Sequence, residues 1–244
     1  MRRTDKTILC VFAHPDDEAF GPGGTIARIA KRHRVYLLCA TKGQAGKDRG
    51  RRAKRDLAER RARELRVSAK ILGVRKVFFL GFEDGTLSNN LYHRLAAKIE
   101  RYAKRLHPEI LLTSEPRGGS GHIDHITVSM ATSYVFDRLP FVRAMLYYCI
   151  REERARALRK GYFIYVPPGY RRSEIDLVVN TRDVGEQKRD AMQAHASQFH
   201  DFRRMLRFAE RFPKEENFLV RLKGVEKGRG RTARGAAARR MLGI

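Results

Sequence analysis

No apolar run in this chain approaches the roughly 18 or more residues of a membrane-spanning helix. A transmembrane segment is therefore not expected. Cysteine is scarce: Cys10, Cys39 and Cys149 each lie inside an apolar, strand-like stretch. An odd number at scattered positions builds neither a disulfide framework nor a Cys-x-x-Cys metal site. Buried, inert thiols are expected, as suits a reducing compartment. A signal peptide is not expected either. The basic, briefly apolar start, MRRTDKTILCVFA, runs straight into His14-Pro15-Asp16 with no small-residue cleavage pattern. It reads as a first strand, and the protein is expected in the cytoplasm. Gly21, Gly23 and Gly24 match neither GxGxxG nor a loop ending in GK[ST], so they suggest a tight, closely packed turn rather than a phosphate cradle. Acidic residues are the last shortage, 27 Asp and Glu against 52 Lys and Arg, for a net charge of +25. That balance attracts anions such as a phosphorylated substrate, nucleic acid or a membrane surface. A general basic bias explains it equally well.

The chain that remains alternates strand and helix. Apolar runs at Thr7–Ala13, Arg34–Thr41, Val77–Leu80, Glu109–Thr113 and Arg143–Ile150 read as strands. Helical patterns separate them, including one over Ala53–Leu72 and one ended by Pro108. This succession predicts an α/β protein: a Rossmann-like, doubly wound, mostly parallel sheet with helices on both faces, in three α/β/α layers. Further strands are expected at Ile175–Val179 and Phe218–Leu222, and helices at Asp183–His195 and Phe199–Phe212. Residues 1–222 form one expected domain. Residues 223–244 read as a basic Gly/Arg/Ala-rich tail, mobile apart from a short helix at Ala236–Leu242, and able to make weak contact with an anionic surface.

Chemistry concentrates at strand ends. The first strand stops in His14-Pro15-Asp16-Asp17-Glu18, and His122-Ile123-Asp124-His125 follows the fourth. Both fall at the carboxyl edge of the sheet, where open α/β proteins bind ligands. Carboxylates crowded this closely need a cation or a proton to relieve their repulsion. A catalytic metal site uses three protein ligands and leaves one position open. His14, one of the two aspartates and a histidine of the second segment supply such a set. The other aspartate is left as a general base. Histidine with carboxylate suits zinc, and also Fe(II) or Mn(II).

These two segments resemble the signature motifs of the PIG-L/LmbE-like zinc-dependent N-acetylglucosamine deacetylases. The resemblance continues through Thr41-Lys42-Gly43-Gln44-Ala45-Gly46, Arg61-Ala62-Arg63-Glu64 with Leu72-Gly73-Val74, Phe79 to Gly85, and Lys188 with His195 to Gln198. Ile123 stands where proline is frequent, and it is not a ligand. The resemblance implies His14, Asp17 and His125 as zinc ligands and Asp16 as the base that deprotonates the attacking water. It implies that His122, as imidazolium, stabilises the oxyanion or protonates the leaving amine. Asp124 would orient His122 and raise its pKa. Arg61 is a candidate substrate contact, and Asp84 a residue that could approach the site. Glu18 is expected to make supporting bonds within its loop. The other histidines are expected at the surface, with His195 packed near the sheet edge. The implied partner is a small N-acetylated sugar, and a homo-oligomer is compatible. A non-catalytic binding protein that engages nucleic acid or an anionic membrane is the alternative, but it has no need of the six ionisable residues at the sheet edge.

Overall fold

The first apolar run becomes the hub of the sheet. β1 (Thr7–Phe12) is buried at every position, as expected of a parallel strand covered on both faces. It pairs in parallel with β2 (Arg34–Thr41) on one side and β4 (Ile110–Ser114) on the other. The computed structural model describes residues 5–46, 54–158, 165–198, 214–224 and 230–244. Its seven-stranded sheet has the order β3-β2-β1-β4-β5-β7-β6, with β3 at Lys76–Phe82, β5 at Ala144–Cys149, β6 at Leu177–Asn180 and β7 at Glu215–Leu222. β7 runs antiparallel between β5 and β6. The first five strands form the parallel, doubly wound part.

Side-chain alternation along β1 separates two cores. Ile8, Cys10 and Phe12 pack with α2 (Gly23–Ala30), α3 (Lys54–Ile71), α8 (Gly185–Gln193) and α9 (Arg231–Leu242). Leu9, Val11 and Ala13 face α4 (Tyr92–Leu106) and α6 (Ile123–Arg138). Short helices α1 (Asp17–Phe20), α5 (Gly118–Gly121) and α7 (Glu152–Leu158) complete the set among the described residues. From β1 the chain winds outward through β2 and β3, then returns to β4 on the other side of β1. The topological switch point therefore lies between the carboxyl ends of β1 and β4, where a ligand crevice opens.

Two expectations need correction. The C-terminal segment is not a free tail over residues 231–242. α9 starts five residues before the expected short helix and packs against the sheet, with Ala238 and Leu242 buried. Arg234 donates to Asp176 Oδ1 at 2.8 Å, and the Leu242 carbonyl accepts from His33 Nε2 at 2.9 Å. Apolar contacts and a satisfied histidine, invisible in a Gly/Arg/Ala composition, hold this helix. His33 is accordingly buried rather than exposed. The helix expected over Phe199–Phe212 lies outside the described residues, as does residue 200. No helix among the described residues is long and apolar enough to cross a membrane.

Candidate metal centre

The loop after β1 and the start of α6 meet at the switch point. Asp17 Oδ2 accepts the backbone N–H groups of Ala13 and His14 at 3.1 and 2.9 Å. That leaves Asp17 Oδ1 toward His125, 3.2 Å from its Nε2. His14 Nδ1 lies 3.1 Å from the same His125 Nε2 and 3.9 Å from Asp17 Oδ2. Three donor atoms thus converge. A tetrahedral ion with bonds of about 2.0–2.1 Å sets its ligand atoms about 3.3 Å apart, and the 3.1 and 3.2 Å separations of His125 Nε2 from His14 Nδ1 and Asp17 Oδ1 match.

The far nitrogen of each ring decides the tautomer. His14 Nε2 donates to Asp84 Oδ1 at 2.9 Å and Asp124 Oδ2 at 3.1 Å. His125 Nδ1 donates to the Gly118 carbonyl at 3.1 Å. With those protons fixed outside, both lone pairs point inward at each other and at a carboxylate. A proton, or a divalent cation between them, removes that conflict, and carboxylate or carbonyl partners on the outer nitrogens are the usual support of histidine ligands. The residues therefore fit a metal. A second grouping, His14, His122 and Asp124, also has donor atoms close together. It is the weaker set, because Asp124 already accepts from the Gly85 and Leu87 N–H groups at 2.8 and 3.1 Å as well as from His14.

Electrostatics follow the same contacts. Burial disfavours the imidazolium of His14, but hydrogen bonds to Asp124 and Asp84 overcome it and push the pKa up to about 10 without a metal. Burial also opposes ionisation of Asp17, yet the charge and hydrogen bond of His125, with His14, hold it well below the usual carboxylate range. Asp16 goes the other way. Burial and the neighbouring Asp17 push its pKa up to about 6, against the pull of Arg61.

Asp16 has a φ of 108°, a backbone conformation that side-chain-bearing residues rarely adopt. Several bonds hold it there. Its N–H donates to Glu18 Oε2 at 3.0 Å, and Arg61 Nη2 donates to Asp16 Oδ2 at 2.9 Å. Arg61 is buried, with its other donors on the carbonyls of Gly43 at 2.6 Å and Pro15 at 2.7 Å. The candidate substrate contact therefore reaches Asp16 and two loop carbonyls of its own chain. Gly43 makes room for it: at φ +70° a Cβ there would lie 2.2 Å from Arg61 Nη1. The glycine of this loop serves an arginine, not a phosphate. At the other glycine cluster, Glu216 takes the Gly24 and Thr25 N–H groups at 2.8 and 2.6 Å, so a carboxylate already occupies that helix start.

His122 departs from expectation. The backbone N–H of Asp124 donates to His122 Nδ1 at 3.2 Å. A backbone N–H cannot do otherwise, so Nδ1 carries the lone pair and Nε2 the proton. Burial, then the positive charges of His14 and His125, lower its pKa. The Asp124 side chain holds His14, the histidine of the other segment, and does not orient His122. His122 is thus a neutral Nε2–H donor beside His14, their ring centroids 4.7 Å apart.

Support comes from late in the chain. Buried His195 donates through Nε2 to Glu18 Oε1 at 2.7 Å, and Ser68 Oγ donates to the same oxygen at 2.5 Å. Ser197 is fixed to Glu64 of α3 through its N–H and Oγ at 2.9 and 2.5 Å. The contribution of Asp84 was only faintly legible: an acid in a glycine turn at the carboxyl end of β3 was its sole signal.

Together these features describe a Rossmann-like α/β protein with a His/Asp centre, suited to a divalent metal, at its switch point. The family model PIG-L, GlcNAc-PI de-N-acetylase, matches residues 9–136, and the chain belongs to this family. A diacetylchitobiose deacetylase of Thermococcus kodakarensis is 34% identical over 80% of this chain and 70% of its own. A 1D-myo-inositol 2-acetamido-2-deoxy-alpha-D-glucopyranoside deacetylase of Rhodococcus jostii is 32% identical, covering 80% and 82%. Among solved structures, an N,N'-diacetylchitobiose deacetylase from Pyrococcus horikoshii superposes with a TM-score of 0.67 at 23% identity, covering 90% and 85%. The 4-carboxy-2-hydroxymuconate hydratase GalB from Pseudomonas putida gives 0.68 at 18% identity, covering 91% and 99%. At those identities the likeness is one of fold alone, and the fold supports more than one reaction.

Proposed function

We propose that this protein is a zinc-dependent N-deacetylase that hydrolyses the acetamide of an N-acetylglucosamine-type sugar to a free amine and acetate. The observation that carries the reading is the pair of outward-anchored imidazoles, His14 and His125, whose inner nitrogens converge with Asp17. His14, Asp17 and His125 would hold the ion. When bound, zinc supplies Lewis acidity, which acidifies water and polarises a carbonyl.

The remaining residues divide the proton work. Asp16 takes the proton of the attacking water at Oδ1, because Oδ2 is held by Arg61. The carbon–nitrogen bond breaks, and the proton passes from Asp16 to the departing amine. His122 donates its Nε2 hydrogen to the developing oxyanion. A neutral donor serves here without a proton transfer, because charge builds where the donor already points. Arg61 and Glu18 are positioning residues for Asp16, and Asp84 and Asp124 are positioning residues for His14.

The test is metal analysis of the purified protein together with acetate release from a panel of N-acetyl sugars. One equivalent of divalent metal and turnover that is lost on chelation are expected. Absence of stoichiometric metal, or turnover unaffected by Asp16→Ala, would overturn the reading.

A further inference from the structure

The two imidazoles that converge on the centre are anchored unequally. His14 Nε2 rests on two carboxylates, Asp84 and Asp124. His125 Nδ1 rests on one neutral acceptor, the Gly118 carbonyl at 3.1 Å. Such a bond directs a ring only as well as its acceptor is itself held. Yet the acceptor sits in a glycine loop, where Gly118 and Gly119 both have positive φ, +71° and +64°. Glycine has more backbone freedom to lose than any other residue. Something must hold that carbonyl in place.

A buried acid does so. Glu115 follows the last residue of β4 and is 2% exposed. The loop turns back around it. Oε2 accepts the Arg117 N–H and Oε1 the Gly119 N–H, both at 2.7 Å, and the Glu115 carbonyl accepts the Gly118 N–H at 2.8 Å. The Gly119 N–H and the Gly118 carbonyl belong to one peptide unit. That unit is planar, and its N–H and C=O point in opposite directions. Glu115 grips one end of the plane, and His125 meets the other. Donation to Glu115 also polarises the peptide and strengthens its carbonyl as an acceptor. The result is an acid–imidazole pair with one peptide unit inserted. Glu115 is anchored in turn, because Tyr170 Oη donates to Oε2 at 2.7 Å and the Glu115 N–H donates to the Tyr148 carbonyl at 3.0 Å. Burial, then the charge of Glu115, raise the Tyr170 pKa, so the phenol keeps the proton this bond needs. The loop lies directly against the start of α6, since a Cβ on Gly118 would stand 2.9 Å from Ile126 Cγ1 and 3.1 Å from His125 Cβ.

We propose that Glu115 is the positioning residue of His125, acting through the Gly118–Gly119 peptide, and that Tyr170 holds Glu115 to that task. The proposal deepens the metal-centre reading and rests on it. Asp84 and Asp124 direct one imidazole toward the ion, and Glu115 directs the other.

The test uses Glu115→Gln and Tyr170→Phe in the full chain. In the glutamine variant one oxygen becomes an NH2 group, which cannot accept, so a backbone N–H or the phenol loses its acceptor. Zinc affinity, measured against a competing chelator, should fall about tenfold or more in Glu115→Gln and by less in Tyr170→Phe. Excess zinc should then restore kcat, because Asp16 and His122 are untouched. The second readout is the His125 Nδ1 proton in NMR spectra, assigned with His125→Asn. Its exchange with water should quicken about tenfold or more in Glu115→Gln. Unchanged zinc affinity in folded Glu115→Gln, or an unchanged exchange rate, overturns the proposal whatever happens to thermal stability. Glu115 would then brace the loop alone. Should Glu115→Gln not fold, Tyr170→Phe carries both measurements, with the same results deciding. Should the unsubstituted protein hold no divalent metal, the zinc reading falls first. Exchange of the His125 proton in the metal-free protein then decides: faster exchange in the variants supports the positioning role, and equal exchange rejects it.

Discussion

The two histidine segments at the switch point look alike in the chain and act differently in the fold. Each follows a parallel strand, and each combines histidine with aspartate. After β1, His14 and Asp17 face the centre, while Asp16 is turned aside by its positive φ and held by Arg61. After β4, His125 faces the centre, His122 caps the first turn of α6, and Asp124 reaches across to His14. The bracing is mutual, since Asp17 of the first segment touches His125 of the second. Neither segment is therefore half of a site that could be assembled alone. His14 and His125 each depend on the opposite segment, or on the loop before it, for their direction.

That cross-bracing can be broken at graded cost. The largest effect is expected from Asp17→Ala. It removes the oxygen proposed as a ligand and leaves the Ala13 and His14 N–H groups without their acceptor, so both bound metal and acetate release should disappear together. Asp16→Asn comes next. It preserves the contact to Arg61 but removes the proposed base, and turnover should fall by about 10² to 10⁴ while metal content stays at one equivalent. Metal lost along with activity in that variant would return Asp16 to the ligand set. Asp124→Asn addresses the bracing itself. It should weaken metal binding by about 10- to 100-fold, measured with a competing chelator, because it loosens His14. If Asp124 instead served His122, metal affinity would hold and only turnover would fall.

Much of this was legible in the chain. The five parallel strands and their helices follow from apolar runs punctuated by glycine, proline and charge, and both segments fall at strand ends for that reason. The partnerships within the site were not legible. Spacing placed Asp124 next to His122, but the helical start at Ile123 points the Asp124 backbone N–H at that ring and its carboxylate elsewhere. The resemblance makes Arg61 a candidate substrate contact, and nothing in the local pattern of a basic helix marks this arginine as buried. Its burial depends on a glycine contact across 18 residues. α9 escaped because a sequence of glycine, arginine and alanine has almost no apolar stripe, and its hold comes from Leu242, His33 and Asp176. Local pattern fixes elements, whereas long-range pairing of polar groups is decided by a topology that the pattern only implies.

The smallest expected effect lies beneath the first segment, where His195 bonds Glu18 with both groups buried. Burial lowers the His195 pKa, but the charge and hydrogen bond of Glu18, with Asp16 adding and Arg61 opposing, raise it overall. A histidine with a raised folded-state pKa stabilises the fold fully below its unfolded value of about 6.5. That contribution is lost as pH rises through the folded-state pKa. His195→Gln keeps a donor but loses the charge, so it should cost about 1–3 kcal/mol at acidic pH. The gap to the unsubstituted protein in thermal unfolding should narrow as pH climbs above neutrality. A gap that stays constant across that range would mean that the pair is held as a neutral hydrogen bond. The first segment would then rest on packing and on Ser68 rather than on a buried charge, unlike the second, which is braced through His14 and His125.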